Sequence, residues 1–183
     1  MLLAPTSIQV AQGIRPDDLY SLFMGLQKWF DYVVVDAGSS LSENTVTLMD
    51  ASDRILLVAN PDLASLHDTS RFIQISRSLA FPPDKMMIVL NRDGMPGGVR
   101  TRDIEAVMHY PLFAQIPEDS QNVLRSLNRG VPLIMRYPRS PATRAIRQMA
   151  RTITSMSTAQ VQQATPTADK ARKEALLASS RLG

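Results

Sequence analysis

The sequence predicts an α/β fold with a mostly parallel sheet flanked by helices. Several short runs of the chain are apolar at every position rather than at alternate positions, which is typical of strands that are buried on both faces. Stretches with apolar residues three or four positions apart separate these runs. Strands alternating with helices in this way indicate a parallel sheet that is covered on both sides.

The N-terminal part is predicted to contain a strand, a helix and a second strand. Met1–Ala4 starts as a strand, Pro16 suits the first turn of a helix, and Tyr32–Val35 is a second apolar run. Because domains seldom begin on a core strand, we expect the chain to be the downstream part of a larger domain or a degenerate version of one. The helix between the strands has one apolar face: Leu19, Leu22, Phe23, Leu26, Trp29 and Phe30.

The remaining elements alternate in the same manner, with Pro82-Pro83 as a break and Gly130 as a helix cap. Five strands are expected in all. The elements predicted after the second strand are a helix over Glu43–Ser52, a strand over Arg54–Val58, a helix over Leu63–Leu79, a strand over Lys85–Leu90, a helix over Thr101–Met108, a strand over Leu112–Ile116, and helices over Ser120–Arg129 and Pro141–Thr154.

The composition changes at Ser155 to Ser, Thr, Gln and Ala. Residues 155–183 are therefore predicted to be a disordered C-terminal tail, which leaves residues 1–154 as the folded domain. Within the tail, Asp169–Leu182 has the composition of a transient helix, either solvated or used for docking.

Composition excludes several classes of protein. The chain has no cysteine, which rules out disulfides, thiol catalysis and Cys-type zinc sites. His67 and His109 lack metal-ligand spacing. No apolar run approaches the roughly 20 residues of a membrane span, and the start lacks a signal-peptide pattern, so we expect a cytoplasmic location. The net charge of +3 does not by itself demand a nucleic-acid partner.

Polar residues follow three of the predicted strands, where open α/β sheets bind their ligands. Asp36 follows Tyr32–Val35 and precedes a small-residue turn. A carboxylate there can hold Mg²⁺ through water or polarise an attacking water. The structural alternative is an Asp that accepts hydrogen bonds from the turn amides.

The other two strand ends carry groups suited to a base. Asn91-Arg92 follows the fourth predicted strand, and an Asn amide offers both a donor and an acceptor to a purine edge. Pro117 can pack on a base and Asp119 can accept a hydrogen bond from one. The structural alternatives are a strand-ending turn and a helix N-cap at Asp119 or Ser120.

One expected component of a nucleotide site is absent from the sequence. No G-x-x-x-x-G-K-[ST] motif occurs, and no Gly is followed by Lys. That loop is what cradles phosphates in P-loop proteins.

These segments resemble the MinD/ParA group of P-loop ATPases. The resemblance rests on Phe30–Asp36, Ala51–Val58, Val89–Arg92 and Ile116–Asp119. Leu2–Ser7, Asn128–Leu133 and Arg139–Pro141 look most like the CpaE/TadZ branch, which serves Flp/Tad pilus assembly. The likeness covers roughly residues 1–153 and implies a partial SIMIBI-type P-loop NTPase fold, in which residues 1–154 are the C-terminal portion of a nucleotide-binding domain.

The resemblance also implies cofactors, partners and roles. It implies ATP, Mg²⁺, a homodimer, and contacts with pilus and secretion machinery at the inner face of the membrane or the cell pole. Asp36 matches the Walker B aspartate, Asn91 the adenine-reading Asn, and Pro117 and Asp119 the residues lining the base pocket; Arg92 adjoins them. The Walker A loop is missing, and Asp36-Ala37-Gly38 departs from the frequent Asp-x-Pro. We therefore expect no ATP hydrolysis by this chain alone, and a non-catalytic scaffold and a ParA-like DNA-partitioning protein stay as alternatives.

A run of arginines is the last notable feature. No Asp or Glu occurs between Ser120 and Ala168, and Arg144, Arg147 and Arg151 share one helical face. Two interpretations stay open: a basic patch for nucleic acid, an anionic membrane or an acidic partner, and a solvated helix face that pairs with acidic residues elsewhere in the fold.

Overall fold

The computed structural model describes residues 13–163, with side chains to residue 156. Helices alternate with three strands in this part of the chain. The elements are α1 Pro16–Leu26, α2 Glu43–Ala51, β1 Ile55–Ala59, α3 Leu63–Ser78, a 3-10 turn Pro83–Lys85, β2 Met86–Asp93, α4 Thr101–Met108, β3 Leu112–Pro117, α5 Ser120–Leu127, α6 Leu133–Arg136 and α7 Pro141–Gln163.

The three strands form one sheet in the order β1-β2-β3, and β2 pairs with β3 in parallel. β2 lies at the centre, and its first five residues, Met86 to Leu90, are all buried. A central strand needs apolar side chains on both faces because helices cover both. The predicted α/β fold with a parallel sheet flanked by helices is confirmed.

The chain divides into two compact units. Within residues 13–163, the first comprises residues 13–57 together with Arg71–Met87, and the second comprises Val58–Ser70 and residues 88–163. In the first unit α1 packs against α2. Ser42 caps α2 by accepting a hydrogen bond from the Thr45 amide at 3.2 Å.

In the second unit α7 packs against β3, and α5 packs against α6. The first turn of α7 is buried through the small residues Ala142 and Thr143, the latter with no exposed surface. Small side chains let a helix approach a strand closely, so these two residues set the position of α7.

The predicted strand over Tyr32–Val35 is wrong for the described structure. No strand is assigned there, and Val34 is 95% exposed. A strand is stabilised by hydrogen bonds to a neighbouring strand, and the sheet formed by residues 13–163 contains β1, β2 and β3 alone. An apolar run without a neighbour is left extended.

The prediction that every strand is buried on both faces is also wrong for β1. Leu56 and Val58 are exposed, whereas their neighbours are buried or half-buried. β1 lies at one edge of the sheet, where less of the fold surrounds it than surrounds β2.

Three element ends lie three or more residues away from those predicted. α1 ends at Leu26, and Trp29 and Phe30 then bond back to Leu26 in a turn, so they do not extend its apolar face. β2 continues through Asn91 to Asp93. α7 continues to Gln163, nine residues beyond the predicted Thr154.

Two predictions fall outside the described residues: the strand over Met1–Ala4 and the helix over Asp169–Leu182. Between residues 13 and 163, no helix combines the length and the apolar character needed to cross a bilayer.

Candidate functional site

The carboxyl ends of β2 and β3 bring together the polar residues of the second unit. Asn91 pairs with Ile116 in the strand register, and the Glu118 amide donates to the Asp93 carbonyl at 2.8 Å. The two predicted base-reading segments are therefore neighbours. Asn91 and Pro117 lie inside the ends of their strands rather than after them, because the ladder extends further than the apolar runs.

Asn91 has a partner that the sequence analysis missed. Its Nδ2 donates to Oδ1 of Asn60 at 3.4 Å, and Asn60 directly follows β1. The Asn60 amide in turn donates to the Ser65 hydroxyl at 2.8 Å. These bonds fix the Asn91 amide in one orientation. The signal for Asn60 was the same as for Asn91, a polar residue directly after an apolar run.

Arg92 forms a bulge in β2. The register steps from Asn91 opposite Ile116 to Asp93 opposite Pro117, and Arg92 adopts φ +57°. A left-handed conformation costs a residue with a side chain roughly 1–2 kcal/mol. The bulge leaves Arg92 out of the ladder and gives its side chain a different direction from its neighbours.

The Arg92 side chain links the two strand ends. Its Nε donates to Oε2 of Glu118 at 2.8 Å, while Oε1 of Glu118 accepts from the Ser120 amide at 2.8 Å. Hydrogen bonds from Ser120, and then from Arg92, hold the pKa of Glu118 below its usual range. Glu118 is therefore ionised at neutral pH, and the start of α5 is tied to the bulge.

One carboxylate oxygen of Asp119 accepts no hydrogen bond. Its Oδ1 accepts from Asn122 Nδ2 at 2.7 Å, whereas its Oδ2 is buried and has no hydrogen-bond partner among the described residues. Asp119 occupies the N-cap position of α5 but its side chain makes no capping bond. Buried polar atoms normally have partners, so this oxygen is available to a ligand donor.

A shallow pocket of about 280 Å³ opens at this point. It is lined by the five residues from Glu118 to Asn122. The pocket therefore includes the free Asp119 oxygen and the ionised Glu118.

A glycine-rich loop follows β2 and approaches the residues after β1. The Val99 amide donates to the Pro61 carbonyl at 2.8 Å, and Thr101 Oγ1 donates to Asp93 Oδ1 at 2.8 Å. A Cβ on Gly98 would lie 3.0 Å from the Met95 carbonyl oxygen and 3.2 Å from Pro61. A side chain there would have to push this backbone away by a few tenths of an ångström. The Pro-Gly-Gly sequence signals this turn, although the sequence analysis did not use it.

Asp36 lies in the first unit, in an extended and exposed segment. Its Oδ1 accepts from the Gly38 amide at 3.4 Å, and Gly38 has φ +71°. This contact is the structural alternative considered for Asp36. No group of three or more acidic or His side chains that could hold a metal occurs in the described residues. The role of Asp36 in holding Mg²⁺ through water stays a prediction.

Two of the three patch arginines are bonded to backbone. Arg144 Nη1 donates to the Arg139 carbonyl at 2.8 Å, and Arg147 donates to the carbonyls of Pro138 and Ile134, both at 3.3 Å. All three arginines, including Arg151, are exposed. Because carbonyls are neutral, the positive charges stay uncompensated by these bonds.

A parallel sheet with ligand groups at the carboxyl ends of its strands is the arrangement of nucleotide-binding α/β proteins. Comparison with solved structures defines the class further. A ParA family ATPase from Chlorobium tepidum superimposes with a TM-score of 0.73 at 24% identity, over 78% of this chain and 59% of that one. MinD of Pyrococcus horikoshii, solved with Mg-ADP, gives 0.71 at 21% identity, over 84% and 62%. The fold is that of the MinD/ParA-type P-loop ATPases.

Sequence comparison agrees. An uncharacterised ATP-binding protein of Methanocaldococcus jannaschii is 33% identical over 150 residues, which cover 80% of this chain and 56% of the relative. The chain is thus similar in sequence to an ATP-binding protein and similar in fold to the ParA/MinD-type ATPases. No protein-family model matches it, and it spans about half the length of the curated relatives that it matches.

Proposed function

We propose that the carboxyl ends of β2 and β3 bind the adenine base of ATP in the C-terminal portion of a MinD/ParA-type nucleotide-binding domain. The observation that carries this proposal is the buried Asp119 Oδ2 without a hydrogen-bond partner, on a residue that lines the pocket at the start of α5. Adenine presents an amino group where guanine presents a carbonyl oxygen. The Asp119 carboxylate can accept a hydrogen bond from that amino group, and the Asn91 amide offers both a donor and an acceptor to the purine edge. Pro117 supplies an apolar surface for the ring, and the Arg92–Glu118 pair holds the segment in place.

Binding of the base is tested without phosphates, because no phosphate loop occurs in the sequence. NMR spectra of the labelled chain are recorded with adenosine and with guanosine. We expect adenosine to shift the resonances of Asn91, Asp119 and Ser120, and Asp119→Asn to remove the effect. The matched control is Asp103→Asn, since Asp103 pairs with Arg100 on the exposed side of α4. Equal shifts with both nucleosides, or shifts confined to other residues, would contradict the proposal.

Hydrolysis is a separate step, and we expect this chain to perform none above background. Phosphoryl transfer depends on positioning of the phosphates and on charge stabilisation, which the P-loop amides and lysine supply in this group of enzymes. The measurement is phosphate release from ATP with Mg²⁺ by the 183-residue chain. Turnover that depends on Mg²⁺ and disappears in Asp36→Ala would overturn this expectation and support the Walker B role of Asp36.

The finer role that we propose is that of a CpaE/TadZ-like protein in the assembly or positioning of a Flp/Tad pilus, acting as a homodimer. Its support is the sequence resemblance at Asn128–Leu133, where Gly130 adopts φ +63° and the Val131 amide bonds back to Ser126 in a helix-ending turn. The relatives found by sequence comparison carry the names MinD and ATP-binding protein, and neither name refers to pili. Loss of pili on deletion of the gene, restored by the wild-type gene, tests the role, and unchanged piliation would exclude it.

A non-catalytic scaffold is the second candidate, because the first unit exposes large apolar side chains such as Trp29 and Phe30. Such surface favours association with a partner. Asp119→Asn separates the two candidates. If it abolishes adenosine binding but leaves piliation intact, the scaffold is the better description. A ParA-like role on DNA has less support, since it rests on the exposed basic residues Arg144, Arg147 and Arg151 alone.

A further inference from the structure

The α5–α6 region carries an apolar surface that nothing in the proposed nucleotide site uses. Five large side chains are exposed within twelve residues, and the two most exposed are Leu127 at 70% and Met135 at 72%. α5 and α6 pack against each other, so these side chains lie on two neighbouring helices and on the turn that joins them. They are Leu124, Leu127, Val131, Ile134 and Met135, and together they are called the α5–α6 face.

The same region is strongly basic. Seven arginines and no acidic residue occur between Ser120 and Ala168, whereas the rest of the chain has 13 Lys and Arg against 17 Asp and Glu. Arg125 and Arg129 lie between residues of the α5–α6 face in sequence, and Arg136 and Arg139 follow its last residue. Positive charge is thus concentrated between Ser120 and Ala168, the same part of the sequence that contains the α5–α6 face.

One arginine of α7 is held directly against this face. Arg147 donates to the Ile134 carbonyl and to the Pro138 carbonyl, both at 3.3 Å. Its guanidinium is therefore fixed at the backbone of α6, next to an exposed apolar side chain. A charge that is already positioned loses less side-chain entropy when it meets an opposite charge.

We propose that the α5–α6 face, with its surrounding arginines, binds an acidic amphipathic helix of a partner protein. Amphipathic helices dock through apolar residues spaced three or four apart, and guanidinium groups pair with carboxylates in a two-pronged geometry. The phosphates of duplex DNA could pair with the arginines, but they would not cover the exposed Leu, Ile and Met side chains. None of the large apolar side chains exposed between residues 120 and 156 is aromatic, whereas surfaces that insert into lipid commonly use Trp and Phe.

The test uses the full chain and a synthetic peptide of about 20 residues, long enough to form a helix. The peptide has Leu at every third or fourth position and Glu elsewhere, and binding is followed by fluorescence anisotropy. Two control peptides carry Lys in place of Glu, or the same composition with the Leu residues spread around the helix. We expect the chain to bind the acidic amphipathic peptide and neither control.

Variants then locate the contact. Leu127→Ser with Met135→Ser should weaken binding by roughly tenfold or more, as loss of two central apolar contacts does in protein interfaces. Both side chains are exposed, so circular dichroism should be unchanged. The matched control is Val107→Ser, which removes a 74% exposed apolar side chain from α4. A second variant, Arg125→Ala with Arg136→Ala, tests the contribution of the arginines to peptide binding. Arg102→Ala is its matched control.

Several outcomes would overturn the proposal. They are absence of peptide binding, equal loss with Val107→Ser, and stronger binding to duplex DNA or to phosphatidylglycerol vesicles than to the acidic peptide. Self-association of the chain that disappears in the Leu127→Ser and Met135→Ser variant would assign the face to a second copy of the chain instead.

Discussion

Two apolar runs of this chain differ in burial and in whether they form a strand. Tyr32–Val35 and Met86–Leu90 are similar in hydrophobicity, and both were predicted to be buried strands. The second becomes the buried centre of the sheet, whereas the first is extended, with Val34 almost fully exposed. An apolar sequence therefore predicts where a strand belongs, but the strand forms only where the fold supplies neighbours for its backbone and its side chains.

The largest expected effect comes from replacing one side chain in each apolar run with alanine. Ile88 has no exposed surface, so Ile88→Ala should lower the free energy of unfolding by about 2–5 kcal/mol. Val34→Ala should change it by less than about 0.5 kcal/mol. Urea denaturation followed by circular dichroism measures both. A cost for Val34→Ala close to that for Ile88→Ala would mean that the first run is buried in solution after all.

Two glycines give the next contrast. Gly98→Ala places a Cβ against the Met95 and Pro61 backbone, and we expect a loss of about 1–3 kcal/mol from overpacking. Gly25 lies in α1 with no atom within 4 Å of an added Cβ. Gly25→Ala should therefore stabilise the chain by about 0.5–1 kcal/mol. Thermal unfolding compares them, and equal effects would contradict the close approach of the glycine-rich loop.

A smaller effect should depend on pH. Glu118 has a depressed pKa in the folded state, so its contribution is present above the unfolded pKa of about 4.3 and is lost as pH falls through the folded value. Glu118→Gln should cost about 1 kcal/mol at neutral pH, and the difference from wild type should close in acid. Asp31→Asn is the exposed control. A gap that persists at low pH would show that charge is not responsible.

The smallest effect is spectroscopic. Trp29 is the single Trp of the chain and is 83% exposed, so its emission should resemble that of Trp in water and should be quenched readily by acrylamide. Dilution should leave the spectrum unchanged. A blue-shifted spectrum that moves to longer wavelength on dilution would mean that association covers this part of the first unit.

The sequence predicts the order and type of most elements between residues 43 and 163, because helical periodicity, Pro and Gly are local signals. It predicts Asn91, Pro117 and Asp119 as neighbours through the rule that parallel strands end at one edge. It does not predict the bulge at Arg92 or the bond from Arg92 to Glu118, which lies 26 positions further along the chain, since both depend on the register between β2 and β3. Asn60 was missed because its role depends on that same three-dimensional edge.

The length of α7 has a mechanical consequence. Its 23 residues span roughly 34 Å, whereas the six residues of β3 span roughly 20 Å. The helix is fixed at one end by Ala142 and Thr143, and its last turns cannot all rest on β3. α7 therefore acts as a lever. A tilt of about 10° at its first turn would move the far end by roughly 6 Å, so a spin label or fluorophore near Gln163 would amplify small rearrangements at the edge of the sheet.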